Sequence, residues 1–337
     1  MTETAPAETI AAEVVETALA GPGGGAVATR ADLDGLAGQA RAFAEGARAA
    51  ATRRAYQSDW HHFANWCTAA GLPALPVAPQ TVGLFLAAHA DALAVATLTR
   101  RLSAVAVAHR MAGLHLDTRS PGIRDVMRGL RRAKGVAPRA AGALTVPLAR
   151  RLVATCDGGR LIDVRVRALI LVGLGSALRR SELVALDVAD IAVLPEGLRI
   201  LVRRGKSDQE GEGRVVAIGR TGSPTCPPTA YAAWIAAAGI TDGAAWRSIS
   251  RHGRVGGRLP DRAVSEAVKS RAARAGLDPA GFSGHSLRAG LATSAAAAGV
   301  EEREIARVTG HRSMAVLRKY IREGEVWRRN VASEIGL

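Results

Sequence analysis

The spacing of the apolar residues changes along the chain, and this change limits the folds that are open to it. Between residues 35 and 130 the apolar side chains recur every three to four positions, as at Trp60 and Phe63, which is the period of an α-helix. Residues 198–202 and 215–218 are instead two short apolar runs on either side of a polar turn, which predicts paired strands. Helical spacing then resumes. The sequence therefore predicts a mainly α protein with a small antiparallel β-sheet.

Composition divides the chain into two domains and their flanking segments. Residues 1–34 are acidic and poor in large apolar side chains, which predicts a disordered tail. Residues 35–130 form the predicted helical domain. Residues 131–147 combine four basic residues with Ala, Gly and Pro, which predicts an extended basic linker. Residues 148–337 form a mixed α+β domain, and its last predicted helix covers residues 325–335.

The charge of the chain indicates a polyanionic partner. The formal net charge is +15 over 337 residues, so nucleic acid is the leading candidate. The three cysteines are widely separated, which argues against a zinc module or a disulfide framework. No apolar run reaches the roughly 18 residues that a membrane span needs, and the acidic N-terminus does not resemble a signal peptide. We therefore predict a cytoplasmic protein without membrane attachment.

Four fragments of the second domain carry side chains suited to phosphoryl transfer. They contain Arg179 with Glu182, then Lys206 in the predicted hairpin turn, then His285 with Arg288, and last His311 followed nine residues later by Tyr320. Phosphoryl transfer needs a positioned nucleophile, cations on the equatorial oxygens and a proton donor for the leaving oxygen. Arginine can bind two phosphate oxygens at once, whereas lysine can donate a proton because its pKa can fall. These fragments supply each of the three requirements.

The same fragments resemble the active-site pattern of a known family. The segment FSGHSLRAG, the 26-residue gap from His285 to His311 and the nine-residue gap to Tyr320 resemble the tyrosine recombinases, or phage integrases, of the Cre type. The likeness runs from about residue 50 to the end and is strongest over residues 170–325. In the helical domain it rests on the stretches SDWHHFANWC and TLTRRLSAVAVAHR. One position departs from the pattern, because Arg180 stands where the family usually has a small or apolar residue.

The resemblance implies a site-specific DNA recombinase with a helical core-binding domain and a mixed α+β catalytic domain. Its implied catalytic residues are Arg179, Glu182, Lys206, His285, Arg288, His311 and Tyr320. Tyr320 would attack the scissile phosphate and leave a 3′-phosphotyrosine and a free 5′-hydroxyl, and Lys206 would protonate the leaving oxygen. The resemblance implies no metal and no other cofactor.

The remaining implied roles concern the phosphate and the partners. Arg179, Arg288 and His311 would hold the phosphate, His285 would assist proton transfer, and Glu182 would orient its neighbours. The implied partner is double-stranded DNA with inverted-repeat sites, bound by a homotetramer.

Basic side chains outside these fragments are candidates for DNA contact. They are Arg53, Arg54, Arg100, Arg101, Arg131, Arg132, Lys134, Arg139 and Arg262. Arg100 and Arg262 are predicted to reach base edges in a major groove. For any single basic pair, an ordinary solvated helix face explains the sequence equally well.

Two other functions fit parts of the sequence. A type IB topoisomerase uses similar chemistry, and a catalytically silent DNA-binding protein could keep the basic surface. The complete set from Arg179 to Tyr320 argues against the silent protein. Trp327, Val331 and Ile335 recur at i, i+4 and i+8 and predict an apolar stripe beyond the nucleophile. A monomeric topoisomerase has less use for such a stripe than a recombinase that docks it on a neighbour.

Overall fold

A computed structural model describes residues 35–39, 50–135, 141–203, 213–311, 313–325 and 332. The chain divides into two compact units, Met1–Arg139 and Ala140–Leu337. Within the described part of the chain, no helix is both long enough and apolar enough to cross a bilayer.

The N-terminal unit is a small helical bundle. Its helices are α1 (Ala50–Ala69), α2 (Pro79–Ala88), α3 (Val95–Met111) and α4 (Pro121–Lys134). Helix α1 packs on α3, and α2 packs on α4. Buried residues from all four helices form one core, in which the rings of Phe63 and Phe85 meet edge to face with centroids 5.0 Å apart. Proline in the first turn starts both α2 and α4, where its missing N–H is not needed.

The first four residues of the predicted basic linker are helical. Residues 131–134 form the last turn of α4 and are not extended. Basic side chains are favourable in this position because they face the negative end of the helix dipole. The helix ends at Gly135, which has a φ of 70°, and residues 136–140 lie outside the described residues.

The C-terminal unit is a mixed α+β domain. Its elements in chain order are α5 (Val146–Ala154), α6 (Leu161–Ser176), α7 (Arg180–Ala185), β1 (Ile191–Val193), β2 (Gly197–Val202), β3 (Arg214–Gly219), α8 (Pro227–Ala238), β4 (Arg247–Ile249), β5 (Val255–Arg258), α9 (Arg262–Arg274), α10 (His285–Ala297), α11 (Glu302–Thr309) and α12 (Met314–Glu325). Strands β1, β2 and β3 form an antiparallel sheet in that order, and β4 pairs with β5. In the larger sheet Ile200 pairs with Ile191 on one side and with Val216 on the other.

Helix α6 lies at the centre of this domain. It is apolar on nearly every face and buried along most of its length, as expected of a helix surrounded by other elements. Helices α5, α8 and α10 and strand β3 all pack against it. Because α6 ends at Ser176, the residues that follow it begin inside the domain, among the elements that pack on α6.

The predicted fold class is confirmed, and the differences concern short elements. The predicted strands 198–202 and 215–218 pair as expected, but a third strand, β1, and the hairpin of β4 and β5 were not predicted. Strands of three or four residues do not give a readable alternation of apolar and polar side chains. The predicted tail and nearly all of the predicted helix 325–335 lie outside the described residues, so those two predictions remain predictions.

Candidate active site

Arg179 and Glu182 come together at the start of α7. Glu182 is 4% exposed, and its carboxylate accepts hydrogen bonds from the backbone N–H of Arg179 at 3.0 Å and from Arg179 Nη1 at 2.5 Å. A glutamate at the third position of a helix commonly reaches back to the N-cap in this way. Burial opposes the charge of Glu182, but these hydrogen bonds and nearby Arg214 hold its pKa below the usual range. Glu182 thus fixes the orientation of the Arg179 side chain at the start of α7.

Arg288 is a buried cation that keeps one nitrogen unused. It lies on α10, one turn after His285, and is 1% exposed. Its Nη1 donates to the carbonyl of Ala177 at 2.9 Å, whereas its Nη2 is buried with no hydrogen-bond partner among the described residues. A buried donor without a partner costs on the order of 1–3 kcal/mol. An anionic oxygen is the acceptor that best fits a guanidinium nitrogen of this kind.

The backbone at Ala177 makes this contact possible. Ala177 follows the end of α6 in the left-handed conformation, with a φ of 50°. That conformation costs a residue with a Cβ roughly 1–2 kcal/mol. It turns the chain from α6 toward Arg179 while leaving the Ala177 carbonyl in contact with Arg288. The strained backbone of Ala177 thus lies between Arg179, toward which it turns the chain, and Arg288, which binds its carbonyl.

Tyr320 projects from α12 toward the first residue of α10. Its Oη lies 2.9 Å from His285 Nε2. Helix α12 approaches α10 closely because it has Gly324, where a Cβ would lie 2.4 Å from the carbonyl oxygen of Thr293. The buried side chains of Leu317 and Ile321 hold the same helix against the domain. The tyrosine hydroxyl is therefore positioned by packing on both sides of it along the helix.

His311 follows α11, and its hydrogen-bond partners favour the tautomer with a hydrogen on Nδ1. Gly310 ends α11 in the left-handed conformation, with a φ of 62°. The hydroxyl of Thr309 donates to the carbonyl of Ile305 at 2.6 Å, so its oxygen accepts from His311 Nδ1 at 2.7 Å. Nδ1 therefore bears a hydrogen. The imidazole ring lies with its centroid 6.2 Å from that of Tyr320.

The site is strongly electropositive, and its pKa values reflect this. Burial and the nearby charge of Arg179 lower the pKa of Arg288 to about 10. Burial, then Arg288 and Arg179, lower the pKa of His311 to about 4, and the same three causes lower the pKa of His285. Burial raises the pKa of Tyr320, against the attraction of Arg288. At neutral pH both histidines are uncharged, the tyrosine is protonated, and the site is prepared for an anion.

Sequence reasoning missed one member of this cluster. Arg214, the first residue of β3, contacts Glu182 Oε2 through Nη2 at 3.4 Å and donates from Nη1 to the carbonyl of Val308 at 2.9 Å. It is one of 41 arginines in the chain, and no local motif distinguishes it. Only the fold reveals that it lies among the predicted site residues.

The structure brings together six of the seven predicted catalytic residues. They are Arg179, Glu182, His285, Arg288, His311 and Tyr320. Lys206 lies outside the described residues, in the segment that joins β2 to β3. Within the described ranges there is no group of three or more His, Cys, Asp or Glu side chains that could hold a metal ion.

Some of the predicted DNA-contacting residues form ion pairs or hydrogen bonds within the protein. Arg100 makes a bidentate ion pair with the buried Asp59, at 2.6 and 3.0 Å, and Arg101 is 12% exposed beside the same carboxylate. Lys134 donates to the carbonyls of residues 90, 91 and 93. The other described residues of this set are exposed: Arg53, Arg54, Arg131, Arg132 and Arg262. Arg139 lies outside the described residues, and the DNA-contact predictions stay predictions.

Comparisons with known proteins agree with this geometry. The family model for the phage integrase family matches residues 144–325, which is more than half of the chain and spans every element of the site. The chain belongs to the phage integrase family. It is therefore a tyrosine recombinase, an enzyme of site-specific DNA recombination.

Individual relatives extend the likeness over most of this recombinase. An integrase/recombinase xerD homolog of Selenomonas ruminantium is 33% identical over 296 residues, 86% of this chain and 87% of the relative. The recombinase cre of Escherichia phage P1 is 26% identical over 299 residues, 81% of this chain and 82% of the relative. A lambda integrase dimer bound to a core site has a similar fold, with a TM-score of 0.57 at 14% identity over 82% of this chain and 73% of that one.

Proposed function

We propose that this recombinase cleaves and rejoins DNA strands through a covalent bond between Tyr320 and the 3′ end of the cut strand. The observation that carries the proposal is the hydroxyl of Tyr320 at 2.9 Å from His285 Nε2, in a site where Arg288 keeps a buried Nη2 without a partner among the described residues. Phosphoryl transfer requires a nucleophile beside a base and a cation that can bind the phosphate. Tyr320, His285 and Arg288 can fill these three roles.

The chemistry proceeds by exchange of one phosphate ester for another. The proton of Tyr320 passes to neutral His285 as Oη bonds to phosphorus. The bond from phosphorus to the 5′-oxygen breaks, and Lys206 supplies the proton that makes this oxygen a hydroxyl. Arg288 Nη2 and the Arg179 guanidinium stabilise the charge on the non-bridging oxygens. Because the tyrosyl ester conserves the bond energy, a second 5′-hydroxyl can reverse the steps without ATP.

DNA binding is expected to take up a proton at His311. In the free protein the pKa of His311 is about 4, since burial and cations disfavour its charged form. A bound phosphate would reverse that balance and raise the pKa, and only the charged ring can donate from Nε2 while Nδ1 donates to Thr309. Between the two pKa values the complex holds one more proton than the free protein, so half-site affinity should rise as pH falls, by up to about tenfold per pH unit.

Fluorescence titrations of a half-site between pH 5 and 7.5 measure this linkage. His311→Gln is the matched variant, because it keeps a hydrogen-bonding side chain without the ionisation. A slope that is the same for both proteins would show that His311 does not take up the proton.

Lys206 is expected to act as the general acid for the leaving oxygen. Lys206→Ala should slow cleavage of a normal strand by about 10²–10⁴-fold. A 5′-bridging sulfur leaves without protonation, so single-turnover cleavage of that substrate should be restored to within a few-fold of wild type. Equal losses on the two substrates would assign Lys206 a different role.

Assembly into a tetramer is the second part of the proposed function. An apolar groove of about 870 Å³ lies between α5, α6, β3, α10 and α11 of the catalytic domain, and Leu171, Leu291, Val300 and Ile305 are among its lining residues. The occupant that we propose is the C-terminal segment 326–337 of a neighbouring copy, whose apolar stripe would span about 12 Å as a helix. Cyclic head-to-tail docking of four copies then brings two inverted-repeat sites together.

Removal of residues 326–337 is expected to separate DNA binding from recombination. Half-site affinity and Tm should change little, since the described helix α12 is retained. Synapsis on native gels and recombination of a two-site plasmid should fall at least about 100-fold, because multivalent contacts are lost. A truncated protein that recombines at the wild-type rate would exclude docking in trans, and one with a large loss of Tm would indicate docking on its own domain.

A pair of valine variants tests the groove itself. Val300 lines the groove and is 45% exposed, whereas Val193 on β1 is 47% exposed and does not line it. Val300→Glu should lose synapsis and recombination while it keeps half-site binding, as the truncated protein does. Val193→Glu should recombine at the wild-type rate. Equal behaviour of the two variants would exclude this groove as the docking surface.

The proposed function is tested with inverted-repeat sites selected from a random library by binding to the protein. A plasmid bearing two such sites should yield inversion or deletion products, and a nicked suicide site should accumulate a covalent protein–DNA complex. A divalent chelator should leave both reactions unchanged, as no step above uses a metal. Relaxed plasmid without exchanged products would contradict recombination.

A further inference from the structure

We infer that Arg214 is a positioning residue that joins the two halves of the active site. The inference rests on the proposed function, since it concerns how the cleaving groups are held. The first half is the start of α7, with Arg179 and Glu182. The second is the end of α11, which leads directly into His311. These two segments are more than 100 residues apart in the sequence, and Arg214 contacts both.

Each terminal nitrogen of the Arg214 guanidinium contacts one half of the site. Nη1 donates to the carbonyl of Val308 at 2.9 Å, in the last turn of α11. Nη2 contacts Glu182 Oε2 at 3.4 Å, and the same oxygen accepts the backbone N–H of Arg179 at 3.0 Å. The planar fork of arginine can make both contacts at once, whereas the single ammonium of lysine cannot. Arg214 therefore fixes the distance between the carboxylate that orients Arg179 and the helix end that carries His311.

Gly310 provides an independent indication of this role. A Cβ at Gly310 would lie 3.2 Å from Cζ and 3.3 Å from Nη1 of Arg214. The guanidinium thus lies directly against the backbone of the residue that precedes His311. Glycine is already required there because φ is 62°, and the absent side chain leaves the space that Arg214 fills.

Arg214 also lies close in sequence to Lys206, the proposed general acid. Arg214 pairs with Val202 at the turn end of the β2–β3 hairpin, and residue 206 belongs to the connection between these strands. A contact from Arg214 to α7 and α11 therefore anchors the strand that follows the proposed general acid. Its role is to hold groups that act on the phosphate. Direct contact with the phosphate is the competing explanation.

Arg214→Gln tests the inference, with Arg199→Gln as the matched control. Arg199 lies on β2 with its side chain on the opposite, exposed face of the same sheet, so its loss removes the same charge without touching α7 or α11. We expect Arg214→Gln to slow single-turnover cleavage of the suicide site by about 100-fold. Half-site Kd should change less than about threefold, and Arg214→Lys should recover only part of the rate. Arg199→Gln should cleave at close to the wild-type rate.

A double-mutant cycle with Glu182→Gln separates positioning from other roles. If Arg214 acts through Glu182, the double variant should lose about as much rate as the worse single variant, because both changes break one unit. Multiplied losses, together with weaker half-site binding and a salt slope reduced by about one, would indicate direct phosphate contact. A normal rate with a smaller amplitude of covalent complex would indicate a structural role only. Either result would overturn the inference.

Failure of the inference can be distinguished from failure of the proposed function. If Tyr320→Phe is still trapped on DNA, the proposed function itself is wrong. If Tyr320→Phe is not trapped and Arg214→Gln cleaves at the wild-type rate, only the role of Arg214 is wrong.

Discussion

Tyr320→Phe is expected to bind a half-site with wild-type affinity and to form no covalent complex with a nicked suicide substrate. The substitution removes one oxygen and keeps the ring, whose centroid lies 6.1 Å from that of His285 and 6.2 Å from that of His311. Without that oxygen no ester to phosphorus can form, so capture should fall by at least about 10⁴-fold, the range seen when a nucleophile is removed from an enzyme. Denaturing gels with end-labelled DNA measure the captured fraction.

Tyr231→Phe is the matched control for this prediction. Tyr231 lies on α8 in the core of the same domain and is 2% exposed, and its hydroxyl has no hydrogen-bond partner among the described residues. Loss of that hydroxyl should leave capture at the wild-type level. Persistent capture by Tyr320→Phe would mean that another side chain is the nucleophile.

Arg288→Lys is expected to abolish most cleavage while the positive charge is retained. Arginine can donate to the Ala177 carbonyl through Nη1 and still direct Nη2 at a phosphate oxygen. The lysine ammonium is a single donor group on a different stem, and it cannot occupy both positions. Loss of a donor that stabilises transition-state charge costs about 10²–10³-fold in rate. Single-turnover cleavage should therefore fall by at least that factor, with half-site binding nearly unchanged.

Arg271→Lys controls for the general effect of replacing a buried arginine. Arg271 is 4% exposed on α9 and is bound to Asp163 at 2.5 Å and to the carbonyl of Thr155 at 2.7 Å. This substitution should lower Tm without changing the cleavage rate of the folded enzyme. If Arg288→Lys cleaves within threefold of wild type, the unused nitrogen of Arg288 is not part of the phosphate site.

Much of this site could be predicted because its residues are arranged by local rules. The i, i+3 spacing of His285 and Arg288 predicts one helix face, and both lie on α10 as expected. The spacing of Arg179 and Glu182 is that of an N-cap and the third residue of a helix, and the structure contains that contact. Rules of this kind depend on a few neighbouring residues, so a sequence carries them directly.

The remaining features depend on contacts between distant segments. Nothing near Arg214 in the sequence identifies it, because its partners are Glu182 and the end of α11. The left-handed backbone of Ala177 would ordinarily be expected at glycine, and its contact with Arg288 is visible only in the fold. Arg100 illustrates the same limit, since nothing in the sequence near it indicates its ion pair with Asp59. Tertiary partners decide what such a side chain can do.

The central claim is that Tyr320 becomes joined to a 3′-phosphate. The most direct measurement is mass spectrometry of the peptide that remains attached to DNA after the wild-type covalent complex is digested with protease and nuclease. The account predicts a peptide in which the Tyr320 hydroxyl is esterified to the 3′-phosphate of a nucleotide. It also predicts a free 5′-hydroxyl on the released strand. A modified residue other than Tyr320, or a phosphate retained on the released 5′ end, would contradict it.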